Sequence, residues 1–330
     1  MKRKLFSVFL LSLLILSSCK KEAENLFGIS IDTNKMVNSP AEVFSLQQIK
    51  MFALSNDFIL QNIRQVYPNT DTSKENFAVA PFHLLFTLAK DTSFNSYLSF
   101  LESNHNIPDM TSDKRAKLFK DFLSSVNNID SSIHIDSDIS SYGDDSCVIQ
   151  QSFCVDLHTE ETASSFGEAF GSTMINISGE FPFFEDNGQI ISEIPLGNGN
   201  YVLSLFKPKN KNLSNYIQDF NEEKYASLLK NTELRKYTLA IPLFNIDLKE
   251  KELNFISNND DLSNPIQKKV FLNTEFRLEN HPLQSSSFEE RMKSANNSKP
   301  IVFDGDFIFI LRGKNSNLIM FIGILSENIL

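Results

Sequence analysis

Gln189-Ile190-Ile191-Ser192-Glu193-Ile194-Pro195-Leu196, Gly197-Asn198-Gly199-Asn200, Tyr201-Val202-Leu203-Ser204-Leu205-Phe206-Lys207-Pro208: two apolar runs flank a turn that contains Asn-Gly. Asn-Gly between such runs is a strong short-range hairpin signal, because the turn that matches strand twist needs residues tolerant of positive φ. The stretch predicts an antiparallel pair, 189–196 and 201–206. Downstream, a helix is expected around Leu213 to Leu229. Strands follow at Tyr237 to Ile246, Val270 to Leu278 and Ile301 to Leu311, with Leu318 to Leu325 after a turn at Gly313 to Asn317. Upstream, Cys147 to Val155 and Met174 to Ser178 are β-like.

Before about Ser131 the pattern is helical. Phe44, Ile49, Phe52, Phe58, Ile59, Ile63 and Val66 recur at helical spacing from Val43 until Pro68-Asn69. Asn76 to Pro81 reads as a short strand leading into a helix through Phe82, Leu84, Leu85, Phe86 and Leu88. Two further helices are expected, one through Phe94, Tyr97, Leu98 and Leu101. The other begins at a cap on Thr111 or Ser112 and runs through Leu118, Phe119, Phe122, Leu123 and Val126. Helices first and strands later describe an α+β chain.

The opening residues have a different character. Lys2, Arg3 and Lys4 precede an apolar run from Leu5 to Leu16, and Leu16-Ser17-Ser18-Cys19 closes it. An apolar core of about 7–15 residues behind positive charge is too short to span a bilayer and reads as an export signal. Small residues before a cysteine fit a lipoprotein signal peptidase. Residues 1–18 are therefore expected to be removed and Cys19 to be lipidated. Residues 19–42 form a polar tether, and 43–330 are one domain at the bacterial cell envelope, on the outer membrane or cell surface.

The composition is 41% hydrophobic and 22% charged, ordinary for a chain with a real core, and 30 Phe with no Trp must fill much of it. A net charge of −10 disfavours nucleic acid, whose binding neutralises phosphates with Lys and Arg. Cys147 and Cys154, if on one strand, lie beyond disulfide reach, and they read as reduced buried thiols. The chain lacks His-Glu-x-x-His, Gly-x-Ser-x-Gly and a glycine-rich phosphate loop, and His83, His105, His134, His158 and His281 are scattered singly. These absences argue against an enzyme, a metal site or a cofactor.

Five landmarks between Asn76 and Gly323, taken in order, resemble the serpins. Asn76-Phe77-Ala78-Val79-Ala80-Pro81 is similar to the family's Asn-x-x-x-Ser-Pro. Met174-Ile175-Asn176-Ile177-Ser178-Gly179-Glu180-Phe181 is similar to Met-Met-x-x-x-Gly-x-Phe. Glu193-Ile194-Pro195-Leu196, followed by Leu203 to Pro208, resembles the Glu-Leu-Pro-Tyr hairpin. Leu239-Ala240-Ile241-Pro242-Leu243-Phe244 resembles Leu-x-Leu-Pro-Lys-Phe, and Phe307 to Arg312 with Leu318 to Gly323 resemble the terminal strand pair. The resemblance implies N-terminal helices packed on a large mixed or antiparallel sheet, a second sheet and an exposed reactive loop. Ala80 and His83 stand where the family has serines. Between Lys90 and Met174 the chain is several tens of residues too short to place the helix that crosses the family's sheet. Val148 to Phe166 fits either of two central strands.

The function implied is that of a monomeric inhibitor. A serine or cysteine protease cuts the loop at about 279–298, and the cut loop inserts as a new strand and traps the enzyme. Counting back from Phe303 and Phe307 puts the scissile bond at Ala295–Asn296, or at Met292–Lys293 in a register shifted by three. The hinge then runs from Glu279 through His281, Pro282, Gln284 and Ser285-Ser286-Ser287. Pro282 lacks the N–H of a central strand, and inward positions would include Gln284, Phe288 and Glu290, the last costing several kcal/mol if buried unpaired. On these residues alone insertion is disfavoured. They favour the alternative, a non-inhibitory surface lipoprotein of this fold that binds a partner or is merely cleaved.

Overall fold

A computed structural model describes residues 44–66, 76–108, 110–127, 133–143, 145–157, 168–169, 172–196, 199–209, 212–254, 268–280 and 300–326. The expected signal segment and tether lie outside them. The order begins α1 (Leu46–Val66), β1 (Phe77–Val79), α2 (Pro81–Leu88), α3 (Asn95–Asn104), α4 (Ser112–Asn127), β2 (Ile133–Tyr142), β3 (Ser146–Leu157), β4 (Glu168–Ala169). It continues β5 (Ser172–Glu185), β6 (Gln189–Leu196), β7 (Tyr201–Pro208), α5 (Leu213–Gln218), α6 (Glu222–Lys230), β8 (Glu233–Pro242), β9 (Asn245–Glu252). The last four are β10 (Lys269–Asn280), β11 (Ile301–Val302), β12 (Phe307–Gly313) and β13 (Ile319–Leu325). No described helix is long and apolar enough to cross a membrane.

The strands make two sheets. The larger has the order β1-β13-β12-β7-β6-β5-β8-β11, with β4 added on β5, and the smaller is β2-β3-β10-β9. β6 and β7 are the hairpin expected from Asn-Gly, paired from Gln189–Pro208 to Leu196–Tyr201, and Gly199 has the positive φ of 84° that such a turn needs. Pro81 opens α2 at a position where a missing N–H is harmless.

Three expected elements divide. The helix from Leu213 to Leu229 is two, because Asn221 caps a fresh start by accepting from Lys224 N–H at 2.9 Å. The strand from Tyr237 to Ile246 ends in the larger sheet at Pro242 and resumes as β9 in the smaller one at Asn245. Ile301 to Leu311 likewise splits into β11, beside β8, and β12, between β7 and β13.

The two sheets face each other through phenylalanine. Phe153 of β3 lies 4.5 Å, centroid to centroid, from Phe321 of β13, and Phe276 of β10 lies 4.6 Å from the same ring. Phe309 of β12 is 4.8 Å from Phe276, and Phe244, between β8 and β9, is 5.0 Å from Phe309. All five rings are buried. Aromatic pairs at these separations add to the area they bury, so this layer is where the Phe excess is used.

Polar side chains tie neighbouring elements together around the larger sheet. Asn76 accepts from Ser326 N–H at 2.9 Å, tying the start of β1 to the end of β13. Glu193 of β6 accepts from Arg312 of β12 at 2.7 Å and from Ser204 of β7 at 2.9 Å, a buried ion pair across three strands. Asn56 of α1 donates to Asn317 O at 2.9 Å and accepts from Ile319 N–H at 2.8 Å, fixing the helix on β13.

Candidate functional site

The smaller sheet contains an unusual pairing. β2 runs antiparallel to β3 and β9 antiparallel to β10, but β3 and β10 between them run parallel, in register from Ser146–Lys269 to Leu157–Asn280. Parallel pairing is slightly weaker per residue than antiparallel. This seam of twelve pairs is the place where a further strand, antiparallel to both neighbours, could be accommodated.

Its inward residues are Cys147, Ile149, Gln151, Phe153 and Val155 on β3 and Val270, Leu272, Thr274, Phe276 and Leu278 on β10, all buried. Its outward residues, from Val148 to Cys154 and from Phe271 to Glu279, are half-buried or exposed. β2 and β3 are joined by a tight turn that Gly143 N–H closes on Ser146 O at 2.8 Å. The helix that the resemblance placed across the sheet therefore has no segment to form from between these strands. β3, rather than an unresolved choice of two, is the seam strand.

Beneath the seam, Gln151 binds the entry of α2 with both ends of its amide. It accepts from Ala80 N–H at 2.9 Å and donates to Ala80 O at 3.2 Å. Thr274 sits opposite Gln151 in register, its buried hydroxyl without a partner among the described residues. His83, two residues past Pro81, packs edge-on against Phe153 with ring centroids 5.7 Å apart. It is fully buried, Nδ1 has no partner among the described residues, and burial lowers its pKa to about 3. Its burial makes it a core residue, with Nδ1 left without a partner among the described residues. At the other end of the seam, Lys268 pairs with Asp91 at 2.8 Å.

Glu279 is the one expected site residue within the described chain. It is half-buried at the end of β10, opposite Asp156 in register. His281, Pro282, Gln284, Ser285, Ser286, Ser287, both scissile pairs (Ala295–Asn296 and Met292–Lys293) and Cys19 lie outside the described residues. The segment holding all of them except Cys19 leaves β10 in the smaller sheet and returns at Ile301 in the larger one, where β11 pairs with β8. Cys147 and Cys154 share β3 and form no disulfide; Cys147 is buried, which pushes its thiol up to about 11, whereas Cys154 is only half-buried on the outward face.

No protein-family model and no curated protein sequence matches this chain. Solved structures do. Uncleaved ovalbumin superposes with a TM-score of 0.65 at 13% identity, over 83% of this chain and 99% of its own. The thermophilic serpin tengpin in its native state gives 0.63 at 14%, over 91% and 99%, and Manduca sexta serine protease inhibitor (serpin)-12 gives 0.58 at 13%, over 84% and 99%. The chain has the serpin fold. Nearly the whole length of each of these serpins is matched. The serpin landmarks read from the sequence fall on or beside strands of the larger sheet and at the entry of α2.

Neither the Gln151 amide nor the parallel pairing is legible in the sequence. The pairing of β3 with β10 joins strands separated by more than a hundred residues, and no periodicity reports a partner at that distance. Gln151 reads as one more polar residue in a strand until the strand is placed over Ala80.

Proposed function

We infer that this protein is a protease inhibitor of the serpin type, lipid-anchored through Cys19 at the bacterial envelope. The segment from Glu279 to Ser298 would serve as bait for a serine or cysteine protease. The observation that carries the reading is the parallel seam of β3 and β10 continuing directly into that segment. An inserted strand would convert one parallel pairing into two antiparallel ones and bury alternate side chains over the phenylalanine layer. The reaction itself is the protease's own: its nucleophile attacks the loop carbonyl, the amine leaves, and insertion removes the acyl-enzyme before water completes hydrolysis.

The hinge sequence favours the second reading, a non-inhibitory member of the fold, but less than the residues alone suggest. β10 stays paired as far as Asn280, so an inserting chain must reverse direction immediately beyond it. Pro282 falls at that reversal, where a fixed φ suits a turn, and not within the ladder. Glu290 remains the residue least suited to an inward position. Incubation with trypsin-like, elastase-like and papain-like proteases tests the reading. A complex that survives SDS is expected with at least one; clean cleavage by all three favours the non-inhibitory alternative.

A further inference from the structure

The floor of the seam pairs a hydrogen-bonded latch with a buried histidine whose Nδ1 has no hydrogen-bond partner among the described residues. Gln151 holds β3 to the α2 entry through both atoms of its amide. Along the same strand, Phe153 covers the His83 ring. We propose that His83 makes the closure of this sheet acid-sensitive: opening β3 from β10 uncovers the imidazole and is coupled to its protonation.

The geometry supplies the coupling. His83 is on α2, whereas its aromatic cover belongs to β3. Parting the seam shifts Phe153 and strains the Gln151–Ala80 bonds together. In the closed state an imidazolium has no counter-charge among the described residues. Burial alone accounts for the lowered affinity of His83 for protons, and no carboxylate, lysine or arginine of α1, β2, β3, α4 or β13, the elements around α2, contributes to it among the described residues. The nearby buried ions of the helical layer, Glu102 and Arg115, are committed to each other at 2.5 and 2.7 Å.

The sign follows from linkage. A histidine in contact with water titrates near 6.5, and this one is held at about 3 while the sheet is closed. Between those values the open state binds more protons, so falling pH favours opening, by at most tenfold per pH unit. At pH 5 the open fraction rises about thirty-fold over its value at neutral pH, and above about pH 7 the effect vanishes.

Hydrogen–deuterium exchange on the intact chain, without protease, reads this directly. After correction for intrinsic amide exchange, lowering pH from 7.5 to 5 should speed exchange in 146–157 and 269–280 about thirty-fold. Strands 201–208 and 307–325 should be unaffected, and His83→Phe should remove the dependence. Should the Phe variant not fold, His83→Gln, which is neutral and polar, must remove it equally. Exchange that rises alike in both sheets, or a seam response that persists in the folded variant, overturns the proposal. The test is separable from the inhibitor reading: a seam that opens in acid with no SDS-stable complex leaves this latch standing, and a complex with a pH-independent seam does the reverse.

Discussion

Gly323 and Gly179 show what the landmark glycines do. A Cβ built on Gly323 would lie 2.2 Å from the Phe309 ring, and one on Gly179 would lie 2.5 Å from the Phe181 ring. Each glycine is the floor on which a phenylalanine lies, in the one sheet whose faces are most heavily packed. Gly323→Ala should therefore cost about 1–3 kcal/mol in urea unfolding, the range for overpacking a tight core. A loss under about 0.5 kcal/mol would mean that Phe309 moves aside freely. Gln151→Leu tests the latch in the same way. It keeps the volume but leaves Ala80 N–H buried without a partner, which costs about 1–3 kcal/mol. A Leu variant as stable as the parent would show that the amide carries nothing. The Ala80 carbonyl also accepts from Leu84 N–H at 2.9 Å, so the donor side alone loses its only described partner.

β6 and β7 were legible in the sequence almost to the residue, because a turn signal and two apolar runs sat within one short stretch. β2 and β9 were not. In β2, Ile133, Ile135 and Ile139 alternate with His134, Asp136 and Asp138, and in β9, Ile246 and Leu248 stand among Asp247, Lys249, Glu250 and Lys251. Both strands lie at the edges of the smaller sheet, where charge is favoured because it discourages pairing with another chain. Both also carry a pairing irregularity, that in β9 at Glu250, whose φ is 52° and whose N–H donates to the Asn273 side chain at 2.6 Å. The charge that protects an edge thus leaves an alternating run with too few apolar residues to stand out from a polar loop. The run that changed sheet, β8 to β9, and the one that changed place within the larger sheet, β11 to β12, were each read as single strands because apolar spacing does not record which strand a residue pairs with. At this scale the bait segment makes its own prediction. Limited proteolysis of the folded chain should cut first within 279–298, because the sequence there is polar and without apolar periodicity between two strands, as expected of a surface connection. First cuts within 189–208 or 307–325 would contradict the strand order on which the site rests.

The described residues form two sheets locked by phenylalanine, with a parallel seam in the smaller one leading into the proposed bait segment. The tether is the protein's other functional claim. Cys19→Ala should shift the protein from the membrane pellet to the soluble fraction and abolish labelling by a clickable fatty acid, and labelling that persists would remove the lipid anchor from the account. The seam decides the rest. A serpin fold that can insert its loop gains a fully paired central strand on cleavage, whereas an ordinary chain nicked in an exposed loop gains nothing. The sequence of the hinge argues for little gain; the extent of β10, which stays paired as far as Asn280 and leaves Pro282 outside the ladder, argues for insertion. Thermal unfolding of the protein after a single cut within 279–298, beside the intact chain, measures this directly. The account predicts a rise of about 20 °C or more, well beyond the ~2–4 °C that 1 kcal/mol gives a large domain. A nicked protein melting within a few degrees of the intact one would show that the seam of β3 and β10 does not open to its own loop, and that the inhibitor reading is wrong.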